Sequence, residues 1–352
     1  MGEVLGVGCT HYPGLLRGPK AYTGTVRMLL NSPVVSETMR DMANWPEGAR
    51  DQWDRQEEES LAHEQRMVES FRTLRGVIDD FKPDAVVIWG DDQYENFHEG
   101  LVPPMTIHCD EEYRDVQPLL RAPQNPWGEP ADKTFNFKGN HELAKHIATE
   151  LIERDFPVSY SYRASHAEHG MAHAFANTLL YLDWDRKEEF PYPVIPISMN
   201  ALGRMFAVAK EGFGHLKPEM AGVDLDPMMS PPGPTPRSCF RMGQLIREIV
   251  EERPERVVLR ASSSWSHSFL TKKNEWLFPD RETDREHFEQ LKRGEQRKWA
   301  DISNIEAEQA GGHEWKNWVA LAGAMEDRTP TIVNYVESWV FNSNKCFCYF
   351  EA

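Results

Sequence analysis

Cysteine is scarce in this sequence, and its spacing excludes several classes of protein. Only 5 of the 352 residues are cysteine. The number is odd, and no two have the C-x-x-C spacing of a redox or zinc motif. This usage argues against a disulfide framework and suits a reducing compartment. Cys346 and Cys348 lie one residue apart, which favours a shared strand over a metal clip.

Long apolar runs and an excess of basic residues are also missing. No stretch reaches the roughly 18 apolar residues of a bilayer span, and the short apolar N-terminal run predicts no secretory signal. The 39 basic residues are outnumbered by 56 acidic ones, for a net charge of −17. That balance argues against nucleic acid or a membrane surface as a partner. We therefore expect a cytoplasmic protein.

The segment at residues 86–97, VVIWGDDQYENF, is the centre of the pattern that is present. Four consecutive apolar residues predict a central parallel strand buried on both faces. Gly90 then permits a turn, and Asp91, Asp92 and Gln93 follow it. Because chemistry in open α/β sheets lies at the carboxyl ends of strands, this cluster is a candidate site. Alone, it predicts a turn cap equally well.

Apolar periodicity predicts strands alternating with helices along the whole chain. The predicted strands are residues 4–9, 86–89, 105–108, 158–163, 194–199, 256–259 and 345–350. The predicted helices are residues 50–81, 140–154, 174–181, 240–251 and 304–325. Alternation of this kind predicts a three-layer α/β/α fold with a mainly parallel central sheet. We expect a single domain over residues 1–352, with irregular loops near 17–50, 110–135 and 217–237.

Polar residues recur just beyond the ends of the predicted strands. His11 follows the first strand, Asp91 to Gln93 the central one, His166 and His169 another, and Ser266 and His267 a late one. Nitrogen and oxygen ligands that leave open positions suit a non-haem Fe(II) centre for oxygen chemistry. They suit a hydrolytic zinc site equally, and the spacing does not separate the two metals.

Four of these segments resemble the class III extradiol ring-cleavage dioxygenases, the superfamily of the protocatechuate 4,5-dioxygenase β subunit and gallate dioxygenase. They are GCTHYPGLL at 8–16, WGDDQYENF at 89–97, SHAEHGMAH at 165–173 and SSSWSHSFL at 262–270. The resemblance runs in order from residue 4 to about 325. It implies a mononuclear Fe(II) held by two histidines and a glutamate, at which O2 opens the ring of an aromatic diol.

The resemblance also implies roles for individual residues. His11 matches the first metal ligand, and His169 matches the histidine that acts as acid and base. His267 matches a catalytic histidine near the substrate. Glu282 is the best match for the glutamate ligand, with Glu275 competing. The residues expected around the substrate and the metal are Asp91, Asp92, Tyr94 and Ser266.

One position departs from the family pattern. Gln93 stands where the family has its second histidine ligand, and an amide oxygen is a weaker donor than imidazole. Gln93 or a neighbouring aspartate completes the site, or His98 reaches it, or iron is absent. We expect an extradiol-type dioxygenase acting on a small aromatic substrate with O2, as a homodimer or larger oligomer. The alternatives are a metal-free, catalytically silent subunit that supports an active partner, and a zinc hydrolase.

Overall fold

A mixed sheet with the predicted central strand in its interior forms the centre of the fold. The computed structural model describes residues 2–117, 125–163, 170–185 and 190–352. Its strands are Glu3–Cys9 (β1), Ala85–Asp91 (β2), Met105–His108 (β3), Glu112–Val116 (β4), Phe135–Lys138 (β5), Ser159–Ser161 (β6), Val194–Met199 (β7), Arg256–Ser262 (β8), Thr331–Val336 (β9) and Lys345–Phe350 (β10). Eight of these described strands form one sheet in the order β6-β3-β7-β2-β8-β1-β10-β9, and β4 pairs with β5 separately.

The middle of the sheet is parallel. β2 pairs in parallel with β7 on one side and β8 on the other, and β8 pairs in parallel with β1. Every residue of β2 is buried, as expected of a strand covered on both faces. Antiparallel pairs lie further out, between β3 and β7, β1 and β10, and β10 and β9. The prediction of a mainly parallel central sheet is confirmed.

Helices cover both faces of the sheet. They are Gly24–Leu30 (α1), Glu37–Arg40 (α2), Glu47–Asp54 (α3), Gln56–Phe81 (α4), His141–Glu153 (α5), His173–Leu182 (α6), Phe206–Phe213 (α7), Pro236–Glu251 (α8), Arg281–Lys292 (α9), Asn304–Gln309 (α10) and Lys316–Ala324 (α11). Val86 and Ile88 of β2 share a core with α4 and α6. Val87 and Trp89 point to the other face and pack with α5, α8 and α11. The alternation along β2 thus separates two cores, which gives the three expected layers.

Several element boundaries differ from the sequence prediction. The helix expected at 50–81 is two helices, α3 and α4, and the expected loop at 17–50 contains α1 and α2. The loop expected at 110–135 contains β4 and the start of β5, and β9 was not predicted. The helix expected at 304–325 is α10 and α11 with a break over residues 310–315. Gly311, at φ +70°, lies in this break and has a backbone conformation that favours glycine.

No helix among the described residues is long and apolar enough to cross a bilayer. This finding agrees with the absence of long apolar runs in the sequence.

The contact between α8 and α11 provides a test of the packing. A Cβ atom on Gly243 would lie 1.8 Å from the Ala320 carbonyl oxygen, so the two helices touch through backbone atoms. We expect Gly243→Ala to lower the free energy of unfolding by at least about 1–3 kcal/mol, because the helices must separate. Gly76→Ala in α4 is the control, since its added methyl group meets no atom within 4 Å. It should raise stability by about 0.5–1 kcal/mol. Urea unfolding measures both, and equal effects would contradict the packing described.

Candidate metal centre

The carboxyl ends of three adjacent parallel strands bring His11 and Asp91 together. β8 lies between β2 and β1, and Ala261 of β8 is level with both Trp89 and Gly8. Asp91 lies two residues after Trp89, and His11 lies three residues after Gly8. Their side chains meet at one edge of the sheet, where His11 Nε2 lies 3.7 Å from Asp91 Oδ1. Both are buried, with 2% and 0% of their surfaces exposed.

The tautomer of His11 is fixed by its second nitrogen. Nδ1 lies 2.8 Å from the carbonyl oxygen of Ser262, which only accepts hydrogen bonds, so Nδ1 is the donor. In the neutral ring, Nε2 then presents a lone pair towards the carboxylates. Histidines that bind metals are held in this way, with the other ring N–H on a carbonyl or carboxylate.

Glu314 is the carboxylate that faces His11 most closely. It lies in the break between α10 and α11, and its Oε2 is 3.4 Å from His11 Nε2. The break is anchored to the loop after β8, because the amide of His267 donates to the carbonyl of Gly311 at 3.0 Å. Glu314 is 1% exposed, and none of the residues that the structure describes donates a hydrogen bond to its Oε2. A buried carboxylate oxygen without a donor indicates that a proton or cation belongs there.

His267 reaches the same carboxylate oxygen from the opposite loop. Its Nε2 lies 3.4 Å from Glu314 Oε2, and its Nδ1 lies 3.0 Å from the carbonyl oxygen of Trp265. Burial lowers the pKa of His267, and nearby Glu314 opposes that shift. Because the Trp265 carbonyl only accepts, the neutral ring turns an Nε2 lone pair to the site.

Gln93 joins the two carboxylates. Its Nε2 donates to Asp91 Oδ2 at 2.8 Å and to Glu314 Oε1 at 2.7 Å. Both partners are acceptors, which settles the amide orientation: the nitrogen faces the carboxylates and the oxygen faces away. The second oxygen of each carboxylate, Asp91 Oδ1 and Glu314 Oε2, is left directed at His11.

His173 and Glu95 form an ion pair beside this group. His173 Nδ1 lies 2.8 Å from Glu95 Oε2, and the amide of His173 donates to Glu95 Oε1 at 2.9 Å. The ring of His173 stands edge-on to that of His11, with centroids 4.8 Å apart. Ligand atoms of His11, Asp91 and His173 all lie within 4.8 Å of one another. Burial alone would lower the pKa of His173, but Glu95 outweighs it and raises that pKa to about 10.

The site carries an excess of negative charge. His173 and Glu95 neutralise each other, whereas Asp91 and Glu314 have no lysine or arginine of the described chain within 4.0 Å. Burial and repulsion by Glu314 raise the pKa of Asp91. Burial would also raise the pKa of Glu314, but His267 and His11 outweigh it and lower that pKa. Two buried carboxylates beside histidine lone pairs are a donor set that fits a divalent cation.

A kinked segment covers Gln93. Within α7 the backbone at Lys210, Glu211 and Gly212 is not helical, and Gly212 has φ +83°. A Cβ atom on Gly212 would lie 3.0 Å from Gln93 Oε1, so glycine permits both the conformation and the close approach. The ring of Phe213, which follows, packs on Phe269 with centroids 4.7 Å apart. This segment therefore covers one side of Gln93, which stays partly exposed.

The carboxylates expected from the sequence to bind metal lie elsewhere. Glu282 is exposed in the first turn of α9, and Glu275 accepts a hydrogen bond from the amide of Ser36. Neither contacts His11, whereas Glu314 Oε2 lies 3.4 Å from His11 Nε2. His98 is exposed, and its ring packs edge-on against the ring of Tyr94. It does not contact His11, Asp91 or Glu314 either.

The remaining expected residues have their own contacts outside the group of His11, Asp91 and Glu314. Asp92 accepts hydrogen bonds from the amides of Glu95, Asn96 and Phe97, so it caps the loop as the alternative interpretation predicted. The ring of Tyr94 stacks on Phe206 with centroids 4.6 Å apart, and Ser266 donates to Asp284. His169 and His166 lie outside the described residues.

Sequence reasoning missed Glu314, Glu95 and His173. Glu314 was assigned to the interior of a helix, although the adjacent pair Gly311-Gly312 signals a break there. His173 was part of the SHAEHGMAH segment but was not singled out, and Glu95 followed the GDDQ loop without a predicted partner.

The ion pair of His173 and Glu95 predicts a pH dependence of stability in the metal-free protein. The folded chain holds the His173 proton up to a pKa of about 10, against an ordinary value of 6.5. This stabilisation is complete below about pH 6.5 and is lost as the pH rises to about 10, by up to ~1.4 kcal/mol per pH unit. His173→Gln should lose that slope, whereas His98→Gln, on an exposed histidine, should keep it. Urea unfolding at several pH values measures it, and equal slopes in all three proteins would contradict the pairing.

Comparisons with known proteins give the site its context. The sequence profile of the family described as "Catalytic LigB subunit of aromatic ring-opening dioxygenase" matches residues 55–208 and 227–347. A 2,3-dihydroxyphenylpropionate/2,3-dihydroxicinnamic acid 1,2-dioxygenase of Comamonas testosteroni is 27% identical over 193 residues. That match covers 55% of this chain and 46% of the relative, less than half of its length. An uncharacterized protein of Escherichia coli K12 superposes with a TM-score of 0.45 at 12% identity, over 80% of this chain and 91% of the other. Because the family profile matches well over half of the chain, the protein belongs to the LigB family of aromatic ring-opening dioxygenases.

Proposed function

We propose that the protein is an extradiol-type ring-cleavage dioxygenase that inserts O2 into a catechol-like aromatic diol at a mononuclear non-haem Fe(II). Membership of the LigB family supports a ring-opening reaction. The observation that carries the proposal is the convergence of two histidine Nε2 atoms on one buried oxygen of Glu314, Oε2, each at 3.4 Å. No turn cap or ordinary ion pair needs such an arrangement.

His11 and Glu314 would hold the metal, since their ligand atoms face each other in a buried site. Fe(II), when bound, would supply the redox-active centre at which a catechol and O2 meet. Burial of both side chains excludes water from the reacting atoms, which strengthens every electrostatic interaction there.

His267 is the residue that we propose to move protons. A catechol must lose its hydroxyl protons as its ring opens, and a neutral imidazole is the side chain best suited to accept them near neutral pH. The lowered pKa of His267 keeps the ring neutral, and its Nε2 points at the site. The resemblance to the family assigns a similar role to His169, which stays a prediction.

His173 would act as a fixed positive charge. Its pairing with Glu95 keeps it protonated, so it can donate from the ring nitrogen that Glu95 leaves free. A donor at that position would stabilise negative charge that develops on the oxygens of the opened ring.

Oxygen uptake tests the proposal directly. The protein is purified without oxygen, loaded with Fe(II) and mixed with catechols that carry different side chains, including 2,3-dihydroxyphenylpropionate, which the name of the Comamonas relative indicates. We expect one O2 consumed per diol and a ring-opened product. Iron bound at one per chain without O2 uptake on any diol would overturn the proposal and favour a catalytically silent subunit. Turnover with Zn(II) and no O2 would favour hydrolysis.

A further inference from the structure

We infer that the cation site of this chain uses one histidine and two carboxylates, His11, Asp91 and Glu314, and that Gln93 holds the two carboxylates in place instead of binding the metal. The inference deepens the function proposed above and rests on it for the presence of a metal. It concerns the residue that takes the place of the missing second histidine.

The orientation of the Gln93 amide is the first reason. An amide binds a cation through its oxygen, but here Nε2 faces the site, with two hydrogen bonds of 2.8 and 2.7 Å to Asp91 and Glu314. Turning the oxygen inward would break both bonds and set an acceptor against two carboxylates. Gln93 Oε1 points instead at the backbone of Gly212.

The position of Asp91 is the second reason. Its Oδ1 lies 3.7 Å from His11 Nε2, a separation suited to two ligands that bind one cation at about 2 Å each. The side chain is fully buried, and among the described residues His11 is its one basic neighbour within 4.0 Å. Its remaining contacts are the amide of Gln93 and a longer one of 3.5 Å from Asn317 Nδ2.

Charge is the third reason. His173 pairs with Glu95, so Asp91 and Glu314 are the two carboxylates that remain beside His11 for a divalent cation. Replacing imidazole by carboxylate also changes the preference for metals, because carboxylates suit Mn²⁺ and Mg²⁺ whereas imidazole suits Zn²⁺ and Fe²⁺.

Metal binding by variants at positions 91 and 93 tests this inference without turnover. Mn²⁺ is titrated into the metal-free, oxygen-free full chain, and the free ion is followed by electron paramagnetic resonance. Asp91→Asn should weaken binding more than a hundredfold, because it removes a ligand charge. Gln93→Ala should weaken it about 10–100-fold, the usual cost of losing a group that orients a ligand. Glu282→Gln, which also removes one carboxylate charge, is the control and should bind like the unmodified protein.

The comparison of the two variants decides the outcome. A larger loss of binding in Asp91→Asn than in Gln93→Ala supports the inference, and equal or reversed losses overturn it. If Asp91→Asn does not fold, Gln93→Ala decides alone, since a loss as large as that of His11→Ala would make Gln93 a ligand. Gln93→His adds a further readout and should shift preference from Mn²⁺ towards Zn²⁺. Failure of the proposed function would appear as absent O2 uptake and would leave these affinities unchanged.

Discussion

Glu314→Gln is expected to abolish both metal retention and ring cleavage. The substitution keeps the shape of the side chain but removes the charge opposite His11 and His267. Losing a group that merely orients a metal ligand costs about 10–100-fold in affinity or activity, so losing the ligand itself should cost more than a hundredfold. Iron content by mass spectrometry and O2 uptake with a catechol are the two measurements.

The matched control for this variant is Glu282→Gln. Sequence comparison favoured Glu282 as the ligand, yet its side chain is exposed in the first turn of α9. It should retain full iron content and activity. The opposite result, an active Glu314→Gln and a metal-free Glu282→Gln, would mean that the site has been assigned to the wrong carboxylate.

His267→Gln is expected to lower kcat by about 10²–10⁴-fold, the usual contribution of a positioned acid or base. Iron content should stay near that of the unmodified protein, since His11, Asp91 and Glu314 remain. The Nδ1 atom of His267 lies within hydrogen-bond distance of the Trp265 carbonyl oxygen. A glutamine side chain fills a similar space, but its amide does not accept a proton near neutral pH. Steady-state kinetics with metal analysis on the same samples gives both values.

His98→Gln is the control for that experiment, because His98 is exposed and lies outside the site. It should leave kcat unchanged. A His267→Gln protein that has lost its iron together with its activity would identify His267 as a metal ligand and would contradict its role in proton transfer.

Local sequence predicted the sheet and the strand-end half of the site. The buried run before Gly90 and the alternation of strands and helices were sufficient to place His11 and Asp91, because parallel strands end at a common edge. The adjacency of β1, β8 and β2 was not needed for that prediction, although it explains why these two side chains meet.

The carboxylate that we propose as a metal ligand, Glu314, could not be predicted in the same way. Glu314 follows no strand, and it reaches the site only because the chain breaks between α10 and α11 at Gly311. That break packs on the loop of His267 through a backbone hydrogen bond, a long-range contact that periodicity does not report. The family resemblance pointed instead to Glu282 or Glu275, and neither side chain contacts His11 in the fold.

The role of Gln93 also depended on three-dimensional contacts. From the sequence alone, Gln93 is interpreted as a weaker metal ligand at the position of a histidine ligand. In the fold it donates to both Asp91 and Glu314, two residues that lie 223 positions apart. A donor between two carboxylates has a different function from a ligand, and only the partners of its amide nitrogen distinguish them.

A crystal structure of the protein loaded with Fe(II) without oxygen, with an anomalous difference map recorded at the iron edge, tests the metal centre most directly. We predict one strong peak per chain, about 2 Å from His11 Nε2 and Glu314 Oε2, with Asp91 Oδ1 next to it and the nitrogen of Gln93 still on the two carboxylates. A peak away from these atoms, or a fully loaded protein with no peak between His11 and Glu314, would contradict the centre described.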